Sequence, residues 1–196
     1  MVKIVKKRKK PDHRMVLFCS FLLTCSCAAA EVSVDLDDSL WSRASVEGSS
    51  PILLYALALQ ESRLLSKGLA KPDPLVIRKG SKVYRYVDYQ DAVRGLSELV
   101  GDGDEKTLRS IDVGILQVNL YWHGHKVEEY TDLLVPAHNI WIGSQILAEA
   151  LKSSKTNTTI GVGRYHSWTE ELATNYGSSV IRMACAMGWD NMECKL

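Results

Sequence analysis

The clearest apolar run in the chain extends from Ser50 to Leu65, with almost no polar side chain before Gln60. Ser50 is a favoured helix N-cap, Pro51 suits the first helical position, and Gly68 offers a C-terminal stop. The residues between them are mostly strong helix formers. Because the run is apolar on all sides, it predicts a buried helix and not a surface one.

Glu61 interrupts this apolar run near its end. At helical spacing its neighbours are Leu57, Ala58, Leu64 and Leu65. Burial disfavours a charged carboxylate, so we expect the pKa of Glu61 to be raised and its proton to be held near neutrality. Such an acid suits the protonation of a glycosidic oxygen. A structural alternative stays open, in which Glu61 pairs with a basic side chain or reaches solvent at the helix end.

Periodicity predicts further elements along the chain. Two short β-type runs at 75–78 and 82–86, separated by Lys-Gly-Ser, predict a hairpin. Helical spacing predicts helices over 89–100 and 136–152, and a last helix that ends near Ala186.

The remaining stretches are polar. Residues 31–50 form an acidic lead-in that could hold one helical turn near Leu40 or stay extended. Residues 153–159 have the composition of a linker. Ser167 and Glu170 have the spacing of a capping box, which predicts that the last helix begins there.

The first thirty residues have the pattern of a secretory signal peptide. A basic segment, 1–14, precedes an apolar run, 15–23, and small residues at 28–30 precede Glu31. The apolar run is short for a transmembrane span, and a nucleic-acid-binding arm would not account for it. The pattern predicts an exported, periplasmic protein that begins near Glu31 and has no transmembrane segment after cleavage.

Removal of this leader changes the charge of the chain. Of 24 Lys+Arg and 23 Asp+Glu, seven basic residues and one acidic residue lie in 1–30. The mature chain keeps 17 basic and 22 acidic residues, so its net charge is about −5 instead of +1. A nucleic acid is therefore not expected as a partner.

The cysteines agree with export. Only Cys185 and Cys194 lie beyond the leader, and two cysteines nine residues apart in an oxidising compartment predict a disulfide that ties the C-terminal tail, residues 188–196. Lipid attachment at Cys25 or Cys27 stays open, although the residues before them are poor matches for it.

A metal site is not favoured by the sequence. Two thiols need further ligands, which no nearby motif supplies, and His123 and His125 lack a third ligand in any recognised pattern. No metal and no cofactor are expected.

A second informative stretch surrounds Gly114. The glycine is followed by an apolar pair and then by Gln117 and Asn119, whose amides can recognise hydroxyl and acetamido groups. Tyr121 and Trp122 follow and could form an apolar floor for a sugar ring, with ordinary core packing as the alternative.

Four short motifs, in this order, resemble those of soluble, goose-lysozyme-like lytic transglycosylases, particularly the small exported members that accompany conjugative-transfer and type IV secretion systems. The motifs are Glu61-Ser62, Gly114-Ile115-Leu116-Gln117, Asn139-Ile140 with Gly143, and Val162-Gly163-Arg164-Tyr165-His166. The resemblance implies a mainly α, α+β, lysozyme-like domain over 51–187 with a small β-hairpin insertion. It departs from the family at Leu116, where methionine is usual, at His166, where asparagine is usual, and in the longer stretch between Glu61 and Gly114.

The resemblance also implies a reaction. Glu61 would be the single catalytic acid, protonating the bond between N-acetylmuramic acid and N-acetylglucosamine and then helping to close a 1,6-anhydro ring. Candidate substrate-binding residues are Ser62, Gln117, Asn119, Tyr165 and His166. Asp112 could be a second acid, but no motif marks it, and a structural or capping role is preferred.

Two other functions stay open at this point. A goose-type muramidase would hydrolyse the same bond with water, and a non-catalytic component of a secretion apparatus would only bind peptidoglycan. The expected partners are peptidoglycan glycan strands and a conjugation or type IV secretion apparatus.

Overall fold

A computed structural model of the chain describes residues 3–6 and 32–195. Its α-helices are α1 Leu40–Ala44, α2 Pro51–Ser62, α3 Tyr89–Val100, α4 Glu105–Arg109, α5 Leu120–His123, α6 Pro136–Lys152, α7 Thr158–Gly163 and α8 Glu170–Ala186. Its strands are β1 Lys3–Lys6, β2 Val32–Asp35, β3 Arg63–Ser66, β4 Leu69–Pro72, β5 Val76–Lys79, β6 Lys82–Arg85, β7 Ile111–Val113 and β8 Val118–Asn119. The architecture is a mixed α+β one in which helix exceeds strand, which confirms the predicted α+β class.

Helix α2 is the buried helix that the apolar run predicts. Ser50 caps it by accepting a hydrogen bond from the Leu53 N–H, and Pro51 is its first residue. Leu54, Ala56, Leu57 and Ala58 are fully buried, which accounts for the absence of a polar face. These side chains form one hydrophobic core together with residues of α1, α6, α7 and α8.

The predicted extension of this helix past Ser62 is wrong. Strand β3 begins at Arg63 and pairs antiparallel with β4 around a turn in which Gly68 has φ +76°, so Gly68 closes a hairpin instead of a helix. Arg85 donates to the carbonyl oxygens of Ser62 (3.3 Å) and Arg63 (3.1 Å). Arg85, far along the chain, thus provides hydrogen-bond donors for the carbonyls at the end of the helix. Leu65 lies on the hairpin and is 72% exposed.

The predicted hairpin is confirmed as β5 and β6, with Val76 opposite Arg85. It is part of a larger antiparallel sheet with strand order β6-β5-β7-β8. In the sheet Arg78 lies opposite Asp112, and Asp112 opposite Asn119. Directly opposed residues share a face of an antiparallel sheet, so these three form one polar row.

The turn between β7 and β8 is fixed by helix α6. Asn139 is fully buried, accepts from the Leu116 N–H (2.8 Å), and donates to the carbonyls of Val113 and Leu133 (2.8 Å each). Gly114 has φ +79°, and a Cβ there would overlap the Asn139 amide. The Asn139 side chain therefore supplies the hydrogen bonds that backbone groups of this turn lack, and its closeness requires glycine at position 114.

Helices α3 and α6 match their predicted ranges, and α8 ends at the predicted residue. The predicted start of α8 is wrong in detail, because Thr169 is its N-cap and the Ser167 hydroxyl accepts from the Thr169 N–H. The stretch predicted as a linker contains the start of α7, which Asn157 caps. The lead-in holds the short helix α1, one of the two predicted alternatives.

The predicted disulfide is present between Cys185, in the last turn of α8, and Cys194. Across 32–195 no helix combines the length and the apolarity that a membrane crossing requires. The predicted signal peptide, residues 1–30, lies outside the described residues except for β1, which pairs antiparallel with β2. Cleavage of the leader stays a prediction.

Candidate active site

A cavity of about 500 Å³ opens beside the end of helix α2. Its volume is typical of ligand-binding clefts. It is lined by the polar row of the sheet, the end of α2, the turn before β8, and residues from α5, α6 and the segment after α7. The lining residues are Glu61, Arg78, Asp112, Gln117, Val118, Asn119, Trp122, His123, Ile146, Glu149, Ala150, Arg164, Tyr165, His166 and Trp168.

Glu61 lies at this cavity, in the last turn of α2, and is partly buried. Burial raises the pKa of the Glu61 carboxyl from 4.5 to about 7. A hydrogen bond from Tyr176 and the positive charge of Arg78 oppose this rise in pKa, whereas the Asp112 charge adds to it. The expected raised pKa is therefore present, although Leu64 and Leu65 are not the helical neighbours that cause it.

Tyr176 is the partner of Glu61 that the sequence analysis missed. It lies on α8, 115 positions further along the chain, and its hydroxyl donates to Glu61 Oε1. The imidazole of His166 stacks on the Tyr176 ring, with ring centroids 4.8 Å apart and planes 5° from parallel. The hydrogen bond fixes the orientation of the Glu61 carboxyl, and the stacking fixes the ring that donates it. No local sequence pattern marks Tyr176, because only the packing of α8 against α2 brings it to the site.

Tyr165 lines the same cavity and packs against the core around α2 and against a second hydrophobic cluster, which includes Ile77, Val113 and Ile142. Its hydroxyl donates to the Leu116 carbonyl oxygen at 2.8 Å. Burial, together with the nearby Glu61 charge, raises the pKa of Tyr165 well above its usual value. Tyr165 thus forms part of the cavity wall, whereas its hydroxyl holds the turn before β8 in position.

Gln117 reaches the cavity in a left-handed backbone conformation, with φ +48°. Its amide Nε2 donates to the carbonyls of Gly114 (2.9 Å) and Val76 (3.3 Å). Its Oε1 is buried and has no partner in the part of the chain that the structure describes. The amide nitrogen thus ties the turn to strand β5, and the oxygen is the half that is left unsatisfied.

Asn119 and Asp112 form a fixed pair on the cavity wall. Asn119 Nδ2 donates to Asp112 Oδ1 (2.8 Å), and Asn119 Oδ1 caps α5 by accepting from the N–H groups of Tyr121 and Trp122. Burial raises the pKa of Asp112. The hydrogen bond from Asn119 and the positive charge of Arg78 partly oppose this rise. The side chain of Asn119 is therefore occupied by protein contacts, although it lines the cavity.

Ser62 is the one predicted site residue that does not line the cavity. It is fully buried, its single hydroxyl proton lies between the Ile115 carbonyl (2.7 Å) and the Ala58 carbonyl (3.0 Å), and its oxygen accepts from the Asp73 N–H. This geometry anchors the end of α2 to the turn that carries Gln117. Contact between Ser62 and a substrate is not compatible with it.

His166 lines the cavity beside the stacked Tyr176 ring. Burial and the positive charge of Arg78 lower the pKa of His166, and the Asp112 charge opposes them. The imidazole is thus favoured in its neutral form near pH 7, in which it can donate one hydrogen bond and accept another.

Two exposed tryptophans frame the cavity. Trp122 on α5 is 59% exposed and Trp168 is 70% exposed. The Arg164 guanidinium lies over the Trp168 ring at 5.1 Å, and that of Arg109 over the Trp122 ring at 4.9 Å. Aromatic faces of this kind provide flat apolar surfaces for a ring-shaped ligand. The sequence marked Trp122 but not Trp168.

The site therefore combines a protonatable carboxyl, a neutral imidazole, amide groups and aromatic faces in one cleft. That set can donate a proton to a ligand and hold polar rings. Within the described ranges no group of three or more His, Cys, Asp or Glu side chains is arranged to hold a metal ion. No protein-family model matches the chain, and no curated protein or solved structure matches it either.

Proposed function

We propose that this protein is a peptidoglycan lytic transglycosylase with a lysozyme-like domain. It cleaves the β-1,4 bond between N-acetylmuramic acid and N-acetylglucosamine and leaves a 1,6-anhydromuramic acid end. The observation that carries the proposal is Glu61, a carboxyl whose pKa is raised to about 7 at the wall of a cavity of about 500 Å³. Such an acid holds a proton at neutral pH and can deliver it to a ligand.

The contacts among the four motifs support the resemblance on which the proposal rests. Asn139 bonds to the turn that follows Gly114, and a Cβ at Gly143 would overlap the side chain of Leu116. Tyr165 bonds to the same turn, close to Glu61. Residues that the family pattern groups together thus contact one another around one carboxyl.

The proposed reaction uses Glu61 twice. The protonated carboxyl donates to the glycosidic oxygen, and the resulting carboxylate accepts the proton of the muramic 6-hydroxyl, which attacks the anomeric carbon. The sugar's own acetamido group stabilises the positive charge that develops there, so no second enzyme carboxylate is required. Tyr176 orients the Glu61 oxygen, and the nearby aromatic faces support the sugar rings.

The proposed setting is the periplasm, where the enzyme opens the cell wall locally for a conjugative-transfer or type IV secretion apparatus. The signal-peptide pattern and the Cys185–Cys194 disulfide support export.

A goose-type muramidase is the second candidate function. It is favoured by Asp112, which lines the same cavity as Glu61 and whose pKa is raised by burial. A second carboxylate in the same cavity could activate water for hydrolysis. Asp112 also accepts a hydrogen bond from Asn119 and lies opposite Arg78 in the sheet, and these two features instead agree with a structural carboxylate.

Mass spectrometry of the fragments released from purified sacculi distinguishes these candidates. The proposal predicts 1,6-anhydromuramic ends and an Asp112→Asn variant that loses activity only as far as it loses stability. Reducing ends together with an inactive Asp112→Asn variant would identify the hydrolase. Tight binding to sacculi without any released fragment would identify a non-catalytic binding component.

A further inference from the structure

The guanidinium of Arg78 lies at the cavity and makes no hydrogen bond or ion pair with any residue that the structure describes. It lies on strand β5, is partly buried and lines the cavity. Two other charged side chains of the lining are held in place, because Glu149 accepts from Lys126 (3.1 Å) and Arg164 donates to the Ser153 carbonyl (2.6 Å). Arg78 thus brings a guanidinium to the cleft with its donors unused by this part of the protein.

The sheet explains why this arginine faces the cavity. Arg78 is directly opposite Asp112, which is opposite Asn119, and all three line the cleft. Asp112 Oδ1 is bonded to Asn119, and no ion pair joins Asp112 to Arg78. The Arg78 side chain therefore lies on the ligand-facing side without a close ion pair to its cross-strand neighbour.

The chemistry of an unpaired guanidinium indicates what it binds. It offers five N–H donors in a planar fork that fits the two oxygens of a carboxylate. Charge-assisted hydrogen bonds of this kind are stronger than those to neutral groups, and partial burial strengthens them further. Neutral sugar hydroxyl and acetamido groups do not require a full positive charge.

The position of Arg78 limits where this anion lies on the substrate. Arg78 lines the same cavity as Glu61 and lies opposite Asp112 in the sheet, and its charge accordingly lowers the pKa of both carboxyls. A carboxylate bound there would belong to one of the two sugars that flank the bond that Glu61 protonates. Of these two sugars, only muramic acid carries an acidic substituent.

We propose that Arg78 binds a carboxylate carried by the muramic acid residue next to the scissile bond, an inference that rests on the proposed function. Two sources supply this chemistry. Strands stripped of peptide have a free lactyl carboxylate, whereas in peptide-bearing strands the lactyl carboxyl is an amide and the nearest carboxylates belong to the peptide.

Two matched substrate pairs test the proposal. One pair is peptide-free glycan with its lactyl carboxylate either free or converted to a methylamide. The other is peptide-bearing glycan with its peptide carboxylates either free or amidated. The wild type should lose about tenfold or more in kcat/KM on amidation in one pair, which identifies the source.

The variants show whether Arg78 is responsible for that preference. Arg78→Gln should reduce the ratio between free and amidated substrate to near one, and Arg78→Lys should keep part of it, because an ammonium retains the charge without the fork. The ratio is taken at one pH for each enzyme, so a change in the Glu61 pKa cancels. Arg182→Gln is the matched control, because Arg182 is exposed on α8 and does not line the cavity.

Three results have distinct meanings. A wild type that cleaves free and amidated forms equally well in both pairs would overturn the inference and leave the proposed function intact. So would an Arg78→Gln variant that keeps the wild-type ratio while both rates fall. A wild type that cleaves none of the four substrates would overturn the proposed function itself.

Discussion

Replacing Glu61 with glutamine should stabilise the protein at neutral and alkaline pH, whatever it does to activity. Burial raises the pKa of Glu61 from 4.5 to about 7. Below pH 4.5 the carboxyl is protonated in both the folded and the unfolded chain, and folding pays no ionisation penalty. As pH rises from 4.5 to about 7, the unfolded chain releases the proton first, so the free energy of unfolding falls.

The size of this effect follows from the shift. A difference of about 2.5 pH units corresponds to about 3.5 kcal/mol, at about 1.4 kcal/mol per unit. Glu61 is partly exposed to the cavity, and solvent screening reduces the figure to about 2 kcal/mol. Glutamine has nearly the same shape, can accept the Tyr176 hydrogen bond and does not ionise, so it removes this penalty.

Urea unfolding at pH 5 and pH 8 measures the effect. The stability of Glu61→Gln relative to the wild type should rise by about 1.5 kcal/mol between the two pH values, because the unfolded chain has already released most of this proton at pH 5. Glu47→Gln is the control, because Glu47 is exposed in a turn, and its difference from the wild type should stay constant. A Glu61→Gln difference that is the same at both pH values, or that falls at pH 8, would refute the buried-acid interpretation.

Three further predictions concern the surroundings of the acid and the fold. Tyr176→Phe keeps the ring but removes a hydrogen bond that lowers the Glu61 pKa, so the alkaline limb of the kcat/KM profile should move up by about one pH unit; an unmoved limb would contradict this. Asn139→Ala leaves three backbone groups without partners and should lower the urea-measured free energy of unfolding by about 2–4 kcal/mol, whereas a loss under 1 kcal/mol would show that this side chain does not fix the turn. Cys185 and Cys194 should both resist thiol labelling without reductant, and replacing both with serine should cost about 2–3 kcal/mol for a separation of nine residues; stoichiometric labelling would argue against the disulfide.

Elements with strong local signals could be predicted from the sequence. Ser50 and Pro51 mark the start of α2, and the periodicity of 89–100 and 136–152 gives the bounds of α3 and α6. The end of α2 could not be predicted in this way. Leu64 and Leu65 continue the apolar pattern beyond Ser62, and the groups that stop the helix there belong to Arg85, far along the chain.

The site residues also differ in whether a local sequence signal marks them. Glu61 could be recognised because an acid on an apolar helix is a local anomaly, and Gln117 because it belongs to a short motif. Tyr176 and Arg78 could not, since their roles depend on which face of a helix or strand meets the cavity. Asn119 carried a signal that was open to a second interpretation, because an asparagine directly before a helix is also a favoured N-cap.

Digestion of purified sacculi by the wild type and by Glu61→Gln, followed by mass spectrometry of the released fragments, measures whether Glu61 is the acid that cleaves the glycan. We expect anhydromuramic fragments from the wild type and a rate at least about 10²-fold lower from the variant, which still folds and binds sacculi. Glu47→Gln should release the same fragments at the wild-type rate. Fragment release by Glu61→Gln at the wild-type rate would show that Glu61 is not the catalytic acid.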